Sequence, residues 1–484
     1  MSKANQSTMP HGGITRREIM AIVIIISGAF IAILNQTVLS PALPKLMQSF
    51  QITAGTAQWV TTIYMLVNGI MVPITAYLID RFSTRKLFIT SMLVFIVGTA
   101  LTAAAPTFAI LIVGRVLQAM GAGIQLPLVG YVPMLLFPRE KRGMAMGMSG
   151  IVMACAPAIG PIVAGAVIDS LGWRAIFVLM LPLAAIVTLL SVIFLVNVGE
   201  VKRPHLDVFS IALSTLAFGG LLYGFSSASN LGWKSAAVIV PVIVGAVALV
   251  WFIRRQFALD EPLLDLKVLK IPVFAYSAAI VTIINSALAV GSIVLPIYLQ
   301  TVLGCSAFVT GVLMTPGAVV SIFMSPISGL LFDKMGPRLI SIVGLAALTG
   351  ALAALAFVGP STHIPFLVVI YMIQSFGLSL ANMPVSTWGI NALENDYIAH
   401  GNAISNTGRQ VGGAISTALI VTIMTMVTNA SHAATPVLQT AAGIHAAYGA
   451  SAVVALAALL MAFFRVKQPK HPAGQDAEQS AETL

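Results

Sequence analysis

Fourteen stretches of mostly apolar residues, each long enough to cross a bilayer, set the limits on what this chain can fold into. A spanning helix needs about 20 such residues. The stretches run, to within a few residues, over 19–40, 56–79, 86–104, 108–131, 142–168, 174–197, 207–226, 236–254, 273–298, 307–331, 338–358, 364–389, 399–427 and 443–464. Of the 484 residues, 58% are hydrophobic and only 8% charged, where a soluble domain carries about 25% charged residues. So little charge cannot clothe a water-facing surface, and most of the surface must meet lipid. The expected class is an all-α membrane protein.

Charge position gives an independent check. Lys and Arg collect on the cytoplasmic side of spanning proteins. With an even number of spans both termini share one side. If that side is cytoplasmic, the inner segments hold Arg16, Arg17, Arg81, Arg85, Lys86, Arg139, Lys141, Arg142, Lys202, Arg203, Arg254, Arg255, Lys267, Lys270, Lys334, Arg338, Arg465, Lys467 and Lys470, besides Lys3. The outer loops hold only Lys45, Arg174 and Lys234. The net charge of +10 is thus membrane topology rather than a nucleic-acid footprint. Residues 1–18 are polar and lack the apolar core of a signal peptide, so they read as a cytoplasmic tail before a retained first span. The two cysteines, Cys155 and Cys305, read as free thiols.

The chain repeats itself. Span 2 ends in Ala76-Tyr77-Leu78-Ile79-Asp80-Arg81 followed by Arg85, and span 10 ends in Gly329-Leu330-Leu331-Phe332-Asp333-Lys334 followed by Arg338. Span 4 carries Gln118-Ala119-Met120-Gly121 and span 12 carries Gln374-Ser375-Phe376-Gly377. The expected organisation is a tail (1–18), a six-helix bundle (19–200), a two-helix insert with its linker (201–272), a second six-helix bundle (273–465) and a disordered cytoplasmic tail (466–484). Repeated bundles suggest alternating access about a site near the bilayer midplane.

Several motifs carry the mechanism. Asp80 ends a helix, where the dipole disfavours an acid, and so needs a positive partner. The loop Asp80-Arg81-Phe82-Ser83-Thr84-Arg85-Lys86 resembles the signature loop of the major facilitator superfamily, with Ala76 and Ser83 in place of its glycines. The resemblance implies a cytoplasmic latch, Asp80 pairing with Arg85 or with the start of span 13, and Asp333 and Arg338 forming its second copy. Arg115, Gln118, Ala122 and Gln125 are spaced three, four and three, so they share one face of span 4. Gly114-Arg115 and the residues after it resemble the superfamily's buried-arginine motif. A mid-membrane Arg is costly and faces a cavity or partner unless it snorkels. Span 5, with Gly150, Pro157, Gly160, Pro161 and Gly165, resembles the Gly/Pro-rich motif of superfamily exporters. Together with Trp173-Arg174-Ala175-Ile176-Phe177 it points to the fourteen-helix drug:proton antiporter branch. Leu34-Asn35-Gln36-Thr37 resembles the lincomycin-resistance-type multidrug exporters, with Asn35 where the branch motif carries an acid. The resemblance covers about residues 17 to 465 and implies a bacterial cytoplasmic membrane protein that exchanges substrates for protons.

The acids do not supply an obvious proton site. All fifteen lie in loops, tails or helix edges. Asp80 or Asp333 at the latch, Asp169 at the outer end of span 5, or the substrate itself would have to carry the proton. The buried charges are Arg115 and Arg409. Arg409 lies about 15 Å into span 13 at 1.5 Å per residue and shares a face with Asn402 and Asn406. An electropositive cavity favours neutral or anionic amphipaths over cations. Candidate cavity residues are Asn35, Gln36, Trp59, Tyr64, Asn68, Arg115, Gln118, Gln125, Asn285, Gln374, Asn382, Asn406 and Arg409. Candidate gating or coupling residues are Asp80, Arg81, Arg85, Asp169, Asp333, Arg338, Gly160 and Pro161. For any single Asn or Gln, an interhelical hydrogen bond is as good a reading as a ligand contact.

Other classes fit less well. None of the seven histidines pairs with Cys, Asp or Glu at metal-ligand spacing inside a span, and no phosphate loop occurs. The expectation is a carrier that needs no metal or cofactor, binds no nucleic acid and works as a monomer on small molecules. An importer or carrier of one metabolite, or an uncoupled facilitator, is the alternative.

Overall fold

The computed structural model describes residues 16–39, 42–52, 54–138, 141–198, 207–431, 433 and 435–467. The N-terminal tail through residue 15, the C-terminal tail from 468, and the loop charges Arg139, Lys202 and Arg203 lie outside the described residues. Fifteen α-helices are described: α1 (Arg16–Thr37), α2 (Leu43–Phe50), α3 (Ala54–Arg81), α4 (Thr84–Ala104), α5 (Phe108–Leu136), α6 (Arg142–Leu171), α7 (Trp173–Phe194), α8 (Val208–Leu231), α9 (Ala236–Ala258), α10 (Pro272–Ile297), α11 (Ala307–Met335), α12 (Pro337–Leu355), α13 (Ile364–Asn391), α14 (Ile398–Ala430) and α15 (Pro436–Arg465). All but α2 correspond to the fourteen apolar stretches. Thirteen described helices are long and apolar enough to cross a membrane, and α6, of 30 residues, is the remaining long one.

Local chemistry sets the helix ends. Ser306 and Thr435 accept N–H groups in the first turns of α11 and α15, and Asp207 does the same for α8. A single residue, Gly172, separates α6 from α7, with φ +80°. Gly336 makes the same hinge between α11 and α12 at φ +75°. Any side chain is strained there, so glycine lets the chain reverse within one residue. Two features depart from the sequence reading. The α2 helix, read as loop, is too short to span, and its Phe50 packs against Phe108 and Trp173. The last turn after α10, Tyr298–Val302, is a π-turn.

The helices α1 and α3–α7 pack among themselves, as do α10–α15, while α8 and α9 pair mainly with each other. Outward faces of α7 and α9 are apolar and exposed, with Leu183, Ile186, Leu189, Val240, Val247 and Trp251 among them. These faces are what lipid covers. Successive long helices alternate in direction, which gathers Arg81, Arg85, Arg142, Arg255, Lys267, Lys334, Arg338 and Arg465 at one end, the basic face.

Candidate transport site between the bundles

Contacts between the two helix groups concentrate near the basic face. The main one is the pairing of α6 with α11. Gly143 and Gly329 meet there so closely that neither position has room for a side chain. That approach brings Asp333 of α11 to the first turn of α6. Its Oδ1 accepts the Gly143 N–H at 2.9 Å and its Oδ2 the Met144 N–H at 2.8 Å. The first N–H groups of a helix lack internal partners and carry the positive end of the dipole, so a carboxylate is stabilised there. Beside it Arg142 is 3% exposed and crosses the same seam. Its guanidinium donates to Asn391 Oδ1 at 3.2 Å and to Asn395 Oδ1 at 3.4 Å. On the other seam Asp80 of α3 faces His400 of α14, Oδ2 to Nε2 at 3.3 Å. Three separate ties therefore close the basic face.

Farther along α14 the packing loosens. Asn402, Asn406, Arg409 and Gly413 recur at spacings of four, three and four, so they share one face. At its basic end this face is tight, with Asn402 against Gly130 of α5. At Gly413 an added side chain would meet nothing within 4 Å. Every residue from Gly408 to Thr417 is partly exposed, which a helix packed on all sides does not show. Between these limits Arg409 donates from Nη2 to Asn406 Oδ1 at 2.9 Å, and its Nε has no hydrogen-bond partner. The adjoining flank of α14 is fixed by Gly408 and Gly412 against Thr282 of α10. The result is a guanidinium on an internal face with donor capacity to spare.

Arg115 is held by more partners, although its Nη2, like Arg409 Nε, has no hydrogen-bond partner. It is 0% exposed, so it neither snorkels nor opens onto a cavity in this conformation. Nε donates to the Val60 carbonyl at 3.1 Å, and Nη1 to Asn35 Oδ1 at 3.2 Å and Gln118 Oε1 at 2.8 Å. The guanidinium lies 4.3 Å from the Tyr64 ring centre, and Tyr64 donates its hydroxyl to the Ala32 carbonyl at 2.8 Å. Gln118 in turn donates to Thr99 at 3.0 Å. Arg115 thus ties α1, α3 and α5 together, and Gln118 extends the network to α4.

Comparison with known proteins decides the family. Residues 25–417 match the Major Facilitator Superfamily. The chain belongs to that superfamily. It is 44% identical over 456 residues to the MFS-type transporter YcnB of Bacillus subtilis, covering 93% of this chain and 96% of that one. It is 38% identical to the lincomycin resistance protein LmrB of the same organism, covering 93% and 97%. It is 30% identical to a multidrug resistance protein B homolog of Mycobacterium tuberculosis, covering 80% and 73%. The fold matches that of the human organic anion transporter MFSD10 with a TM-score of 0.66 at 13% identity, covering 92% and 99%. The protein is a multi-pass membrane transporter with the major facilitator fold, acting on small molecules, and not an enzyme.

Within this transporter the remaining candidates scatter. Asn68 is buried with Oδ1 unpartnered. Gln125 donates to the Met92 sulfur at 3.1 Å. Asn285 donates to Val281 of its own helix at 2.8 Å. Gln374 lies against Gly291 of α10, and neither its Oε1 nor Asn382 Oδ1 has a partner. Gln36 is half-buried at the end of α1. Trp59 stacks on Tyr223 of α8 at 5.5 Å, facing the insert rather than Tyr64 and Asn68, because a five-residue offset turns it to another side of α3. Gly160 packs against Thr37 of α1. Arg81 and Arg338 are exposed at the basic face. Arg85 donates to the Val192 carbonyl and, from its backbone, to Asn197. The side chains of Pro161 and Asp169 lie outside the described residues. Among the described residues no cluster of His, Cys, Asp and Glu could hold a metal.

Helices α8 and α9 have a definite seat in the transporter. Of the two, α8 packs on both α3 and α14, covering the seam between the groups. Trp233, following α8, donates to Thr422 of α14 at 2.5 Å. The sequence reading missed Arg142 and His400 as contacts between bundles. Arg142 stood there only as a topological charge, and His400 only as one of seven histidines.

Proposed function

We propose that this transporter exports small amphipathic molecules, neutral or anionic, from the bacterial cytoplasm by alternating access in exchange for protons. The observation that carries the reading is the internal face of α14. There Arg409, with an unpartnered Nε, sits between a basic face tied shut and open space at Gly413. That arrangement supports a carrier whose site opens away from the basic face. The positive-inside pattern supports a cytoplasmic basic face with both termini on that side. Helices α1 and α3–α7 then form one rocking body and α10–α15 the other, with α8 and α9 as insert. A relative named for lincomycin resistance, and another for multidrug resistance, support export of drug-like compounds.

Two latch carboxylates, Asp80 and Asp333, are the best-placed groups to exchange a proton as the basic face opens. No acid lies in the middle of a spanning stretch. That same observation favours a second reading, an uncoupled facilitator or a carrier of one metabolite. Growth of cells expressing the chain on graded lincomycin and on other amphipathic drugs tests the first reading. Resistance that rises with the parent chain and falls back with Arg409→Ala agrees with it. Equal resistance in parent and variant removes Arg409 from the site, and no resistance to any compound favours the second reading.

A further inference from the structure

His400 lies in the first turn of α14 and is 7% exposed. It bonds in two directions. Nε2 lies 3.3 Å from Asp80 Oδ2, and Nδ1 accepts the backbone N–H of Asp265 at 3.2 Å. Asp265 opens the turn Leu266–Lys270 that leads from the insert into α10. A ring nitrogen that accepts an N–H carries a lone pair, so the neutral ring holds its proton on Nε2 and points it at Asp80. One imidazole therefore joins the first bundle, the second bundle and the connector from the insert.

Both bonds hold together only while the ring is neutral. A second proton goes to Nδ1 and sets an N–H against the Asp265 N–H, two donors facing each other in a buried place. The same proton turns the bond to Asp80 into a charge-assisted one, which is stronger. Among the described residues, the charged and titratable groups nearest in sequence to these contacts are Arg81 beside Asp80 on α3, Lys267 beside Asp265 in the connector, and Glu394 and Asp396 before α14. Tyr131 of α5 lies near both Asp80 and Asp396. Asp265 Oδ1 is engaged by the Lys267 N–H at 2.9 Å.

We propose that His400 is a proton-binding site that sets the strength of the basic-face closure. Protonated, it releases the connector at Asp265 and holds Asp80 as a full ion pair. Acid at the basic face then keeps that face shut, and neutral pH frees it to open. The inference rests on alternating access but not on protons driving export, because it concerns a conformational equilibrium without substrate.

Spin labels at Lys86→Cys on α4 and Lys334→Cys on α11, in a Cys155→Ser, Cys305→Ser background in nanodiscs, report the gap across the basic face. Distances are read across about pH 5 to 8, where histidine side chains change charge. The expected result is a short-distance fraction that grows with acid in the parent and is flat in both His400→Gln and His400→Asn. Gln keeps a donor toward Asp80 and Asn an acceptor toward Asp265, and neither titrates, so one variant suffices if the other does not fold. A flat parent, or the parental pH response surviving in either variant, overturns the proposal. Asp333→Ala serves as the control that opens the face at every pH. If even that variant leaves the distance unchanged, alternating access itself fails and this proposal with it.

Discussion

The carboxylate of Asp333, on α11, accepts the backbone N–H of Gly143, on α6, at 2.9 Å and so caps a helix of the opposite bundle. The neighbouring Met144 N–H completes the pair at 2.8 Å. Each charge-assisted bond of this kind contributes about 1.5–3 kcal/mol. Asp333→Ala is therefore expected to shift the equilibrium at the basic face toward open by about tenfold or more. A cysteine placed at Ser325, which faces Gly147 and Gly150 across the same seam, should react faster with a maleimide in this variant. An unchanged rate contradicts the latch.

Gly143 and Gly329 give a steric version of the same test. Neither has space for a methyl group, and the atoms in the way are partly backbone, which cannot rotate aside. Gly329→Val is expected to hold the seam apart. Membrane insertion and yield should stay near the parent, because the outer surface is unchanged, while transport falls. A fully active Gly329→Val transporter would mean that the seam does not need this close approach.

Arg115 and Arg409 looked alike in sequence, as two cations inside spans, and the structure separates them. Arg115→Lys keeps the charge but loses the planar fork that reaches Val60, Asn35 and Gln118 together. The expected result is a lower thermal midpoint in detergent, from a loss of about 2–3 kcal/mol, with substrate preference unchanged. For Arg409→Lys the expectation reverses: a thermal midpoint near the parent, and weaker or altered substrate preference. Thermal unfolding followed by binding measurements on both variants checks the pair of outcomes.

That contrast shows what was legible in the sequence. Runs of apolar residues reveal spans because lipid imposes length and polarity on each helix separately, and so all fourteen long helices were visible, thirteen of them apolar enough to cross a membrane. The face carrying Asn402, Asn406 and Arg409 was visible too, since helical spacing is a property of one helix. Which helix meets which is not such a property. The partners of Arg115 on α1 and α3 could not be read from its own helix. For Asp80 the family resemblance offered Arg85 or the start of span 13, and only the structure names His400 there as the residue it meets. The start of α15 at Pro436, seven residues before the expected 443, was hidden by small and polar residues that still fold as helix.

Asp207 gives a prediction for pH. Burial pushes its carboxyl up, but hydrogen bonds from Arg255 and Ser210, with the Arg255 charge, more than offset this and leave it below its ordinary value. A carboxyl lowered in the folded state stabilises the fold above its ordinary unfolded value and loses that contribution as pH falls through the lowered one. Asp207→Asn is expected to be less stable than the parent at neutral pH by about 0.2–1 kcal/mol, through the lost ion pairing with Arg255, since Asn still caps α8. The difference should shrink below about pH 4. Melting of the two proteins across pH 3 to 7 measures it, and a constant difference would contradict the assignment.

The central claim is proton-coupled export through the Arg409 face, and flux across a sealed membrane tests it most directly. Purified protein is reconstituted in liposomes, and vesicles with the basic face outward are assayed, after the lumen is made acid, for uptake of a labelled amphipathic drug without a basic nitrogen, one to which the chain confers resistance. The account predicts uphill accumulation that a protonophore collapses and Arg409→Ala abolishes. Downhill flux of the same size with and without the gradient, unaffected by Arg409→Ala, would contradict it.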